Sequence, residues 1–119
     1  MTPFGAKLRQ MRAGRDIKLK DMAKALDVTP AYLSALEHGH RARPKAGFVQ
    51  QVAAYFNLAW DEVDDLKALA DLSDPKVTIE TGGLTPLATE LANRLAKRIA
   101  DLDADALTEL NEQLKPKVG

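Results

Sequence analysis

The residues from Leu19 to Gly39 constrain this chain more than any others: L-K-D-M-A-K-A-L-D-V-T-P-A-Y-L-S-A-L-E-H-G. Leu19, Met22, Ala23 and Leu26 recur at i, i+3, i+4 and i+7, which is one face of a helix. Asp27-Val28-Thr29 interrupts that pattern. A second helix then opens at Thr29-Pro30, where the threonine hydroxyl accepts from a free backbone N–H and proline fits a first helical position that needs no donor. It buries Leu33 and Leu36 and stops at Gly39. So short a turn between two short helices allows few crossings, and one side of the second helix is left free.

This spacing is that of a helix-turn-helix unit. M-A-K-A-L-D-V-T-P-A-Y-L-S-A-L-E-H-G, preceded by L-R-Q-M-R and followed by R-A-R-P, resembles the XRE-type helix-turn-helix regulators, the group that includes the lambdoid phage repressors and Cro. The resemblance covers roughly residues 4–70. It implies that Ala23 lies where the two helices cross and Val28 in the buried turn, and that Arg12 and Glu37 form a structural pair joining the first helix to the recognition helix. It further implies a base-facing surface of Thr29, Pro30, Ala31, Tyr32, Ser34 and Ala35. His38, His40, Arg41, Arg43 and Lys45 then grip phosphate, just after the recognition helix. Three positions depart from the family pattern. Asp27 stands for the usual turn glycine, and Lys18 and Leu19 replace a Ser/Thr-Gln pair, so that Lys18 or Lys20 supplies a charged phosphate contact instead of a neutral one.

The base-facing set has no Arg for guanine and no Asn or Gln for adenine. Ala31, Ala35 and the Tyr32 ring suit thymine methyl groups, whereas Ser34 and the Tyr32 hydroxyl can bond several bases. Modest direct readout is expected, with phosphate positioning and DNA shape supplying more of the selectivity.

Charge distribution agrees with a nucleic-acid partner, although the formal net charge is zero. Residues 1–46 hold ten Lys/Arg against four acids, a balance of +6, and the remainder holds seven against thirteen, a balance of −6. A basic face for a polyanion and an acidic body held away from it fit that asymmetry. With no cysteine there is no disulfide scaffold, Cys-ligated zinc or thiol nucleophile. His38-x-His40 lacks ligands to complete a zinc site, and Asp61-Glu62-Val63-Asp64-Asp65 lacks the spacing of a calcium loop. Neither a serine elbow nor a phosphate loop is present. No metal, no cofactor and no enzymatic activity are expected. No apolar run approaches the ~18 residues of a membrane span, and Met1–Gln10 lacks the apolar stretch of a secretory signal. A cytoplasmic protein, nucleoid-associated through DNA, is expected.

The expected fold is all-α, a five-helix lambda-repressor-like domain over residues 1–72 with a dimerisation extension over 73–119. The first helix runs from near Pro3 to Ala13 with Phe4, Leu8 and Met11 inward, and Ile17 covers the core beneath the following loop. A fourth helix carries Phe48, Val49, Val52, Ala53 and Phe56 inward and ends near Asn57. The fifth spans about Ala59–Leu72 and buries Trp60, Val63, Leu66 and Leu69. Ser73-Asp74-Pro75 marks the boundary. Lys76–Thr81 alternates with period two, so a short strand is expected, paired with its copy in a second chain. Thr85-Pro86 then opens a helix. Leu84, Leu87, Leu91, Leu95, Ile99 and Leu102 recur at about 3.6 residues, the period of straight-helix bundle packing. A last helix, capped by Asp103 or Asp105, carries Leu107, Leu110 and Leu114. Val77, Ile79, Leu87, Leu91, Leu95, Ile99 and Leu102 form the expected dimerisation surface.

The resemblance implies a transcriptional regulator, a repressor by default, binding a pseudo-palindromic operator in double-stranded DNA as a homodimer. A protein antagonist is a further possible partner, because the extension is short for a small-molecule sensor. Two alternatives fit the same pattern: an antitoxin whose tail neutralises a toxin, and a non-specific nucleoid or RNA-binding protein.

Overall fold

Threonine followed by proline opens three of the seven α-helices in the computed structural model, which describes residues 1–116. The first unit, Met1–Val77, contains α1 (Pro3–Gly14), α2 (Leu19–Ala25), α3 (Pro30–Glu37), α4 (Ala46–Tyr55) and α5 (Trp60–Asp71). The second, from Thr78 onwards, contains α6 (Pro86–Arg98), a 3-10 turn over Ile99–Asp101 and α7 (Ala104–Leu114). The last three residues of the expected extension lie outside the described residues. Backbone N–H groups of Gly5, Tyr32 and Ala88 donate to the hydroxyls of Thr2, Thr29 and Thr85 at 3.1, 3.0 and 3.4 Å. Each cap satisfies one of the donors that a helix start leaves open. Asp103 caps α7 through Ala106 N–H at 2.8 Å.

The core of the first unit draws on all five helices. Phe4 and Leu8 meet Met22, Ala23 and Leu26, then Leu33 and Leu36, with Val49, Val52, Phe56 and Leu66 closing the other side. Burial of each large side chain contributes ~1.5–3 kcal/mol against chain entropy. Ala23 is fully buried and Val28 packs against the core at the turn. Non-glycine residues with positive φ mark three turns: Asp16 after α1, Asp27 between α2 and α3, and Asn57 after α4. Asp27 at φ 56° occupies a left-handed position, at the modest strain Asp tolerates.

Three tethers fix how α1 lies on α3 and α5. Arg12 Nη2 lies 3.2 Å from Glu37 Oε2, Glu37 is 2% exposed, and Arg12 Nη1 also donates to the Ile17 carbonyl at 3.4 Å. The Phe4 N–H donates to buried Ser73 Oγ at 2.9 Å, binding the start of α1 to the end of α5. Gly5 is where α1 touches the end of α3. A Cβ there would stand 2.7 Å from Glu37 Cα and collide with the Glu37 carbonyl oxygen. Nothing in the helical pattern of α1 distinguishes Gly5 from a weak helix former. Its reason is the neighbour.

Three expectations are corrected. Trp60 is 80% exposed rather than buried. It is the first residue of α5, at the edge of the unit, while Leu58 just before it packs against the core. Within the single chain residues 77–81 form no strand, and the partner expected for them is the same segment of a second copy. The leucine stripe from Leu84 to Leu102 is not one helix: Leu84 precedes the Thr85 cap, and Ile99 opens the 3-10 turn that leads to Leu102. Ser73 belongs to the first unit, so the division falls after Val77.

Replacing Gly5 by Ala is expected to cost ~1–3 kcal/mol, because two backbones must separate. Gly14→Ala, with nothing within 4 Å of the new methyl, should be neutral or gain up to ~1 kcal/mol. Urea unfolding of both variants checks the contrast, and equal effects would refute the close approach. Glu37→Ala should lower stability by ~3 kcal/mol, the low end for a broken buried pair, since Arg12 keeps some solvent. A thermal melt indistinguishable from wild type would remove the pair from the account.

Candidate nucleic-acid interface

The free side of α3 and the loop after it form one surface because the other side of α3 is taken up by Leu33, Leu36 and Glu37. Thr29, Pro30 and Ala31 are exposed, whereas Tyr32, Ser34 and Ala35 are half-buried. The six expected base-facing residues therefore divide into an outer and an inner set. Thr29 Oγ1 accepts from Tyr32 N–H as the cap, which leaves its own hydroxyl hydrogen free to donate outward.

Tyr32 is held on two sides. Its ring meets Phe48 of α4 edge-on at 6.1 Å between centroids, and the Arg41 guanidinium stands 5.5 Å over its face. Such a cation–π contact contributes ~0.5–1 kcal/mol at an exposed site. The result is a shallow concavity of about 670 Å³ bordered by Tyr32, Arg41, Arg43, Lys45, Phe48 and Gln51. Three cations thus share one concavity with the start of α3. Gln51 was missing from the sequence-based set. It is the one carboxamide in that lining, with donors and an acceptor suited to a base edge or a phosphate.

The remaining expected residues are less tightly grouped. His38 Nδ1 donates to the Ser34 carbonyl at 2.8 Å, which anchors the ring to the end of α3, and His40 is exposed nearby. Lys18 and Lys20 are exposed at the start of α2, away from the concavity's lining. Lys45 occupies the start of α4, which has no side-chain cap, so the first N–H groups of α4 face outward beside an ammonium. Arg43 is already engaged: its Nη1 lies 3.5 Å from Asp71 Oδ1 of α5, with both side chains more than half exposed. Contacts of that kind are worth ~0–1 kcal/mol and yield readily to a stronger anion. Among the described residues no three His, Asp or Glu side chains converge as metal ligands would.

The helix-turn-helix domain family matches residues 3–66, more than half of the chain. The chain belongs to that family. It is similar to the uncharacterized HTH-type transcriptional regulator RghRB of Bacillus subtilis (strain 168), with 29% identity over 63 residues. That stretch is 53% of this chain and 45% of RghRB, so the chain spans less than half of that relative. No solved structure matches. The matched region of the helix-turn-helix domain includes α1 to α4 and most of α5, and with them both members of the Arg12–Glu37 pair. No helix among the described residues is long and apolar enough to cross a membrane.

Because Asp71 competes for Arg43, Asp71→Asn should tighten binding to DNA of any sequence. Arg43→Ala should weaken all sequences alike and reduce the magnitude of the log–log salt slope by ~1. Fluorescence anisotropy titrations across salt check both. An Arg43→Ala effect confined to one sequence would show that the residue reads bases.

Proposed function

We propose that the protein is a sequence-specific DNA-binding transcriptional regulator, a repressor that acts as a homodimer on a pseudo-palindromic operator. The observation that carries this reading is the outer set of α3, Thr29, Pro30 and Ala31, exposed beside a concavity rimmed by Arg41, Arg43 and Lys45 while the reverse side of α3 is buried. A helix so presented fits the major groove, and the flanking cations meet the phosphates on either side of it. Membership of the helix-turn-helix domain family supports it, as does the similarity to a protein named as a transcriptional regulator.

The chemistry of the outer set sets the kind of recognition. Methyl and methylene groups of Pro30 and Ala31 favour thymine methyl groups, and the Thr29 hydroxyl donates to a base acceptor or a phosphate. That is little information per half-site. Tight, selective binding then requires two half-sites, with recognition helices ~34 Å apart on one side of the duplex. Joining the two contacts in a dimer makes the second nearly intramolecular. The second unit is the natural source of that dimer, since its Ile79, Leu87, Leu91 and Ile99 are all at least half exposed. Repression follows from occupying a promoter that polymerase needs.

Selection from random duplexes followed by competition with non-specific DNA tests the proposal. A two-fold symmetric motif bound ~10³-fold or more above random sequence is expected, and a ratio near one would refute it. Tyr32→Ala should change the selected motif, because removing the ring also releases Arg41 and the α4 side of the concavity. An unaltered motif would remove Tyr32 from readout.

A further inference from the structure

Beside the concavity at α3 lies a second cavity, of about 380 Å³, between the start of α4 and the end of α5. Val49 and Ala70 line it and are buried, so the packing of α4 on α5 fixes its shape. Arg43, Lys45 and Lys67 border it with one acid, Asp71, which leaves two positive charges in excess. Arg43 and Lys45 border the first concavity as well, so the two hollows share a ridge of cations. Lys67 is the one base on α5. Asp64 and Asp71 stand three residues before it and four after, the spacings at which helical ion pairs form. Lys67 pairs with neither. Asp71 turns to Arg43 at 3.5 Å, and Lys67 has no salt-bridge partner among the described residues.

We propose that this cavity seats a backbone phosphate of the bound duplex, which makes Lys67 a DNA contact on α5. The inference rests on the DNA-binding reading of α3 and extends the contact beyond it. A duplex strand carries one phosphate per ~3.4 Å of helix axis, so a strand held at the first concavity presents further phosphates on either side. One that crosses the ridge of Arg43 and Lys45 meets Lys67 next. Asp71 alone opposes it there, and its exposed pair with Arg43 yields to a stronger anion. A free anion is a poorer occupant. All three cations are exposed, and exposed ion pairs contribute only ~0–1 kcal/mol each in water. A phosphate carried by a strand already bound at α3 instead arrives at high effective concentration. Such a contact touches only backbone, so it adds affinity for every sequence alike.

Anisotropy titrations of the full chain across salt, with a duplex recovered from selection and a random one, test this. Lys67→Ala should weaken both alike, by ~8-fold at about 0.1 M salt, and lower the magnitude of the log–log slope by ~1. Lys67→Arg should keep the wild-type slope. Lys7→Ala removes a lysine that borders a different cavity, between α1 and α5, and should leave the slope unchanged. A Lys67→Ala slope equal to that of wild type, while Arg43→Ala lowers it, overturns the contact on α5 and leaves the DNA-binding reading standing. A wild type that binds neither duplex overturns both. Saturable binding of millimolar inorganic phosphate to the DNA-free protein, followed at the Lys67 amide by NMR, would assign the cavity to a free anion and overturn the proposal as well.

Discussion

One contact organises the first unit: the seating of α1 on the end of α3. Gly5 lets the two backbones come closer than any side chain would permit, and Arg12 then holds the Glu37 carboxylate in the space beneath. A lone buried carboxylate would be costly, so Glu37 needs its arginine, and the arginine fixes the rotation of α3 about its own axis. Rotation matters because α3 has two uses at once. Leu33 and Leu36 must enter the core while Thr29, Pro30 and Ala31 stay outside it. A small twist would spoil both together, so stability and presentation of the surface rest on the same pair.

Electrostatics divides the molecule in the same sense. Cations collect before residue 46, and those after α3 converge with Tyr32 and Gln51 on one concavity. Acids collect later in the chain, on α5 and α7. Asp71 reaches back to Arg43, so one of the cations bordering the concavity already has a carboxylate beside it. That arrangement weakens attraction to DNA in general. The cost falls equally on every sequence, so it leaves discrimination between sequences unchanged.

How far the chain's own letters reveal all this depends on the range of the cause. Caps act over three residues, and Thr29-Pro30 and Thr85-Pro86 were legible for that reason. Thr2-Pro3 has the same chemistry and passed unnoticed beside a chain end. The turn at Asp27 was legible because Asp is among the few residues that accept positive φ. Trp60 misled: periodicity says which side of a helix is apolar but not where the core ends, and the first turn of α5 lies beyond that end. Long-range partners other than Arg12 and Glu37, which the resemblance implied, left no trace in any pattern. Gly5 against Glu37, Phe4 N–H against Ser73, Arg43 against Asp71 and Gln51 beside Tyr32 each join residues more than fifteen positions apart. The period-two run before Gly82 needs a second strand to receive it, which the single chain does not supply.

Amide chemical shifts of the full chain, followed by NMR while a duplex recovered from selection is added, report most directly on whether the free side of α3 meets DNA. The account predicts the largest changes at residues 29–35 and 41–51, with the amides of Asp61, Asp64 and Asp65 on the outer side of α5 nearly still. Changes centred on α5 or on the unit from Thr78 onwards, with those of α3 silent, would contradict it.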